Sequence, residues 1–178
     1  GDAERSGDEV LGLRDLQLGY SDTAPPLVQA PEALIERGER IAVIGSNGAG
    51  KTTLVRTILG ELAPLSGELR LGARVQVGYL PQLQEHLDPG HTVLDAVQEV
   101  SPESKPAELR NLLGGFLLSG DDVDKRISEL SGGERSRVSL ARLVLAGANF
   151  LILDEPTNHL DITSQEVLEQ VLEDFGGT

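Results

Sequence analysis

Leu16, Leu18 and Tyr20 alternate with polar residues, a period of two that predicts a strand, and Ser21 to Pro26 then supplies loop chemistry. Residues 1 to 9 are small and charged and read as a flexible terminus or linker, which leaves a single folded domain over 10 to 178. Ile41-Ala42-Val43-Ile44 is a short apolar run that ends in a glycine-rich loop, the pattern of a strand buried on both faces. From Gly50 to Leu62 the positions Leu54, Val55, Ile58 and Leu59 have helical spacing, and Pro64 lies just beyond. Leu69 and Leu71, then Val75, Val77 and Tyr79, alternate as two more strands joined by Gly72-Ala73, with Pro81 stopping the second. Helical spacing returns over Thr92 to Val100, Pro106 to Leu118 and Gly132 to Leu145, although Gly114-Gly115 weakens the middle segment. Phe150-Leu151-Ile152-Leu153 is a second fully apolar strand, and Asp161 to Asp174 is an amphipathic helix with Val167, Leu168, Val171 and Leu172 inward. Strands first, then strand-loop-helix, then helices, then strand-helix: this order predicts an α/β core with helical additions.

Composition narrows the chemistry. The chain has 178 residues, 15 basic and 29 acidic, for a formal charge of −14, and its 39% hydrophobic content is enough to bury a core. There is no cysteine, which removes disulfides, thiol nucleophiles and thiolate metal sites together. His86, His91 and His159 are too far apart for a compact metal motif. No apolar run approaches the roughly 18 residues of a membrane helix, and Gly1-Asp2-Ala3-Glu4 is not a charged-then-apolar signal segment, so a soluble cytoplasmic protein is expected. The net field repels nucleic acid, and no DNA partner is expected. The charge is uneven: after Arg142 there is no Lys or Arg, while Asp154, Glu155, Asp161, Glu166, Glu169, Glu173 and Asp174 supply seven negatives.

Gly45-Ser46-Asn47-Gly48-Ala49-Gly50-Lys51-Thr52 matches GxxxxGK[ST] in full, between a predicted strand and a predicted helix. Glycines at these places let the backbone turn through positive φ and aim successive N–H groups at a phosphate, and the helix N-terminus adds partial positive charge. Lys51 is expected to neutralise the β and γ oxygens and the Thr52 hydroxyl to ligate Mg²⁺, with Thr53 completing the candidate ATP site. Downstream, four apolar residues followed by Asp154-Glu155 place two carboxylates at the C-terminal edge of a strand, where α/β sheets present ligands. There Asp154 is expected to hold Mg²⁺ through its water shell, and Glu155 to orient or deprotonate an attacking water.

Leu130-Ser131-Gly132-Gly133-Glu134 resembles the LSGGE signature of ATP-binding cassette (ABC) ATPases. That resemblance covers Tyr20 to Asp161 and implies a P-loop NTPase fold with an antiparallel β subdomain and a small helical subdomain at about 90–145. In the family, Ser131, Gly132 and Gly133 would contact the γ-phosphate bound by an opposite subunit. Tyr20 resembles the aromatic that stacks on adenine. Gln82, after Tyr79-Leu80-Pro81, resembles the Q-loop glutamine that touches Mg²⁺ and the attacking water. Asp161 resembles the D-loop aspartate that crosses the dimer interface, and a plain helix N-cap would look the same. The Asn158-His159 pair resembles the ABC-F subfamily, which carries two cassettes in one chain and acts on the ribosome. The lack of a long insertion between Gln82 and Leu130 is more similar to its second cassette. A departure stands beside this: the family continues into a further strand ending in a switch histidine, whereas this sequence stops at Thr178, as a C-terminally truncated cassette would.

The resemblance implies ATP hydrolysis in a head-to-tail pair of cassettes, with Mg²⁺ held by Thr52, Gln82 and Asp154. A ribosome-bound translation ATPase and the motor subunit of a membrane transporter share every nucleotide motif, and both stay open here. A chromosome-structure ATPase is disfavoured, because the 80 positions from Lys51 to Ser131 leave no room for an inserted coiled coil.

Overall fold

Strand β1 (Glu9–Leu18) turns Val10, Leu11, Leu16 and Leu18 inward. The computed structural model describes residues 7–20, 25–80, 87–154 and 160–178. β1 is the middle strand of an antiparallel sheet in the order β2-β1-β3, with β2 (Val28–Glu36) on one side and β3 (Ser66–Leu71) on the other. Leu13 stands opposite Ala33 on β2 and Leu69 on β3. The sequence reading did not foresee β2: Pro31 interrupts its alternation, and proline is tolerated there because the strand lies at an edge. β1 also starts earlier than expected, at Glu9, and Gly7 N–H already bonds to Ala73 O at 3.0 Å.

Helix α1 (Lys51–Ile58) buries Thr53, Thr57 and Ile58, one face at spacings of four and five. It is shorter than its periodicity predicts, because Leu59 caps it and Gly60 turns the chain with φ +76°. These elements belong to one unit, Glu4–Val77 with Gly176–Thr178.

The expected buried strand at Ile41 to Ile44 is not present. The segment makes no strand pairing among the described residues, and Ile41, Val43 and Ile44 are exposed. An apolar run becomes a buried strand only with hydrogen-bonded neighbours along its edges, and here it has none.

The second unit, Gly78–Phe175, is mainly helical. Its helices are α2 (Val93–Val100), α3 (Pro106–Gly115), α4 (Gly132–Leu145) and α5 (Ile162–Asp174), with two short 3₁₀ turns at Gly120–Asp124 and Ile127–Glu129. Each start is written in the local sequence. Thr92 and Asp95 form a capping box for α2, Pro106 opens α3 at its first turn, Ser131 and Glu134 box α4, and Asp161 caps α5. Gly115 ends α3 where the paired glycines weaken it. The core joins Val93, Ala96 and Val97 of α2 to Leu109 and Leu113 of α3, Val138, Leu140 and Ala141 of α4, and Val167 and Leu168 of α5. Each fully buried Leu or Val there contributes about 1.5–3 kcal/mol. Strands β4 (Val77–Tyr79) and β5 (Phe150–Ile152) pair as a two-stranded sheet, so β3 and β4 lie in different sheets. Glu166, Glu169, Glu173 and Asp174 form the exposed face of α5.

Candidate functional site

In the first unit, the loop from Gly45 runs into α1 through two left-handed residues, Gly48 at φ +82° and Gly50 at φ +91°. Gly50 is the N-cap and is buried, whereas residues 45–49 are exposed. Its inward side is closed by β2: a Cβ on Gly50 would stand 2.5 Å from Val28 Cγ2 and 3.2 Å from Leu27 Cβ. Ala49 N–H donates to Ser46 O at 3.1 Å, and Leu54 N–H to Gly50 O at 2.9 Å starts the helical ladder. Lys51 Nζ folds back to donate to Gly45 O and, at 3.0 Å, to Ser46 O, which holds the ammonium over the loop. No carboxylate occupies the first turn of α1, so its positive end is not offset locally. Ser46, Asn47 and Thr52 are exposed at the same mouth.

Tyr20 is brought to this helix. Thr53 is 3% exposed and its hydroxyl donates to Tyr20 Oη at 3.2 Å, while Tyr20 as a whole is 71% exposed. The phenol is tethered at its tip while most of the residue stays exposed.

In the second unit, Ser131 caps α4 with its backbone at φ −63°, ψ 166°. Glu134 N–H donates to Ser131 Oγ at 3.2 Å, and Ser131 N–H donates to Glu134 Oε2 at 2.7 Å. The hydroxyl thus spends one lone pair on the helix, and its proton turns to the Glu134 carboxylate. The Ser131 N–H, with a smaller part from its side chain, holds the Glu134 carboxyl below its usual range, and Lys125 and Arg137 add to this. Lys125 Nζ lies 3.9 Å from Glu134 Oε1, partly offsetting a negative charge beside the helix N-terminus.

Asp161 meets the same turn. Its Oδ1 accepts from Ser164 N–H at 2.7 Å, and a Cβ on Gly133 would overlap its carboxylate, so glycine is what lets the two elements touch. Ser164, by its side chain first and then its N–H, holds the Asp161 carboxyl below its usual range, and Arg137 assists. Asp154 follows β5 and is exposed. Gln82 and Glu155 lie outside the described residues, as do Asn158 and His159. The structure therefore brings Tyr20 to the loop in one unit, and Gly133 to Asp161 in the other.

Sequence reasoning missed Val28, Glu134, Arg137 and Ser164. For Glu134 a signal existed, since Ser131-Gly132-Gly133-Glu134 is also the S-x-x-E pattern of a capping box. Arg137 is four residues after Gly133 and so shares its helix face, but nothing local announces Ser164 on another helix.

Among the described residues, no group of three or more His, Cys, Asp or Glu could hold a metal, and no helix is long and apolar enough to cross a membrane. Residues 29–158 match the profile of the family described as ABC transporter. The chain is 47% identical over 175 residues to YdiF of Bacillus subtilis (strain 168), which is 98% of this chain and 27% of that protein. It is 41% identical to the ATP-binding protein Uup of Escherichia coli (strain K12), over 99% of this chain and 28% of that one. To ABC transporter F family member 5 of Arabidopsis thaliana it is 39% identical, over 97% of this chain and 25% of the other. The chain thus spans about a quarter of the length of the curated relatives it matches. Among solved structures, cbiO1 of Clostridium perfringens, part of the ABC transporter complex cbiONQ, is similar with a TM-score of 0.75 at 26% identity, covering 96% of this chain and 76% of that one.

Proposed function

Since the chain belongs to the ABC transporter family of ATP-binding, ATP-hydrolysing domains, we propose that it is a cassette of the ABC-F type that works on the ribosome in a longer protein. The observation that carries the nucleotide reading is the loop itself: Gly48 and Gly50 in left-handed backbone, Lys51 held over the carbonyls of Gly45 and Ser46, and an unopposed helix N-terminus behind them. ATP phosphates take the place over residues 45–53, and Tyr20 stacks on the adenine.

A magnesium ion needs oxygen donors, and Thr52 and Asp154 each offer an exposed one in its own unit. Thr52, Gln82 and Asp154 would hold it, and when bound it neutralises phosphate charge. Glu155 with Gln82 aligns the attacking water. Ser131, by turning its O–H from Glu134 to the incoming anion, and Gly132 and Gly133, through backbone N–H groups, stabilise the γ-phosphate of a second cassette, and Asp161 meets that cassette alongside them. The relatives that include an ABC transporter F family member support the subfamily, as does the Asn158-His159 pair.

Lys51→Ala is expected to abolish ATP binding in calorimetry, and unchanged affinity removes the basis of the reading. Glu155→Gln in the full-length protein tests the partner. ATP-dependent trapping on ribosomes supports the translation role, whereas trapping in the membrane fraction replaces it with a transporter motor.

A further inference from the structure

Arg137, on α4, has a side chain only 11% exposed, and it points to the start of α5 rather than to solvent. Its NH1 donates to Ser164 Oγ at 3.2 Å and lies 3.8 Å from Asp161 Oδ1. Ser164 is fully buried, and its hydroxyl passes the chain on, sharing its proton between Gly133 O at 3.2 Å and the Asp161 carboxylate. Its N–H meanwhile donates to Asp161 Oδ1 at 2.7 Å. One serine thus accepts from the signature helix, donates back to the signature glycine, and fixes the aspartate that lies against that glycine. Among the described residues, Arg137 Nε is buried without a hydrogen-bond partner.

We propose that Arg137 and Ser164 are positioning residues which lock Ser131–Gly133 and Asp161 into one rigid presenting surface for the nucleotide of a second cassette. The proposal rests on the functional reading above. In that reading two elements from different helices must reach one phosphate site together, and misplacement by about 1 Å costs on the order of a hundredfold in rate. Either element could be held by its own cap alone, Ser131 by Glu134 and Asp161 by the Ser164 N–H. The Arg137 to Ser164 to Gly133 relay adds a polar tie between their first turns beside the core that α4 and α5 share, so its removal leaves both helices capped and packed but their first turns less tightly registered.

The test uses the full-length protein, with steady-state ATP turnover, fluorescent-ATP affinity and melting temperature measured side by side. Ser164→Ala keeps volume and the N–H but deletes the relay; it is expected to lower kcat about tenfold with KM changed less than about twofold, since the loss falls on the closed state and not on ATP binding. Ser164→Thr restores a hydroxyl and should recover turnover to within about threefold of wild type. Arg137→Ala should resemble Ser164→Ala, and if it does not fold, the Ser164 pair decides. Wild-type turnover with Ser164→Ala within about twofold of it overturns the proposal alone. A kcat loss that threonine does not relieve also overturns it, since the hydroxyl is then not the operative group. Absent turnover in the wild type, or turnover indifferent to Lys51→Ala, overturns the functional reading and the proposal with it.

Discussion

Gly50→Ala is the substitution for which the geometry states both a cost and its relief. Two terms oppose a Cβ at this position. The residue sits at φ +91°, where an L side chain costs roughly 1–2 kcal/mol. The new carbon would also stand 2.5 Å from Val28 Cγ2, more than an ångström inside carbon contact distance, and such overpacking costs about 1–3 kcal/mol. Together they predict a loss of about 2–5 kcal/mol. With a urea m-value of about 2 kcal/mol/M, a loss of about 3 kcal/mol moves the midpoint of unfolding, followed by circular dichroism at 222 nm, down by roughly 1.5 M. In a Val28→Ala background Cγ2 is gone, so only the torsional term and the 3.2 Å approach to Leu27 remain, and the same substitution should cost about 1–2 kcal/mol. ATP affinity separates the terms again. It should fall at least about tenfold in both backgrounds, because the inward N–H groups depend on the left-handed turn and not on Val28. A midpoint shift below roughly 0.3 M, or equal shifts with and without Val28, would refute the reasoning.

Further outcomes follow from the tyrosine and from the capping carboxylates. Tyr20→Ala should weaken ATP binding by the roughly 1–3 kcal/mol that stacking on a base is worth, while Tyr20→Phe, which loses only the Thr53 bond, should stay within about threefold of wild type; titration with fluorescent ATP checks both, and equal losses would show that the hydroxyl rather than the ring is what matters. Glu134 has a depressed folded pKa through the hydrogen bond from Ser131 N–H, so its contribution to stability is present above the ordinary glutamate pKa and is lost as pH falls through the lowered folded value. The gap in urea midpoint between wild type and Glu134→Gln should therefore be constant from pH 7 to about 5 and close on further acidification, and a gap that widens there contradicts the assignment.

Elements carried by local chemistry were legible from residues alone. The starts of α2, α4 and α5 follow from Thr92, Ser131 and Asp161, because a cap is a contract between neighbours three residues apart. The shape of the glycine-rich loop was legible for the same reason, its left-handed glycines and the folded-back Lys51 lying within eight positions. Strands fared worse where their burial depends on remote partners. Ile41 to Ile44 has the composition of a buried strand and lies exposed without pairing, whereas β2 carries a proline and pairs along its length with β1. Apolarity records a side chain's preference, but a strand exists only where a neighbouring backbone supplies hydrogen bonds, and that neighbour is chosen by topology.

The same distinction explains why Ser131 and Asp161 could be read two ways from sequence, as caps or as site residues, and why the structure makes the readings compatible. The Ser131 cap accepts one N–H and turns its own proton to the Glu134 carboxylate. An aspartate cap uses Oδ1 for Ser164 N–H, and that leaves Oδ2 to lie against Gly133. Helix N-termini collect anion-binding and capping groups alike because both answer the same unsatisfied N–H groups. Cap chemistry therefore fixes where these side chains stand, beside the Gly132 and Gly133 N–H groups that the proposed phosphate contact needs. The acidity of the last segment divides on the same ground: Asp161 is hydrogen-bonded into the junction between two helices, while Glu166, Glu169, Glu173 and Asp174 stand on the exposed face of α5, Asp174 accepting there from Gln170.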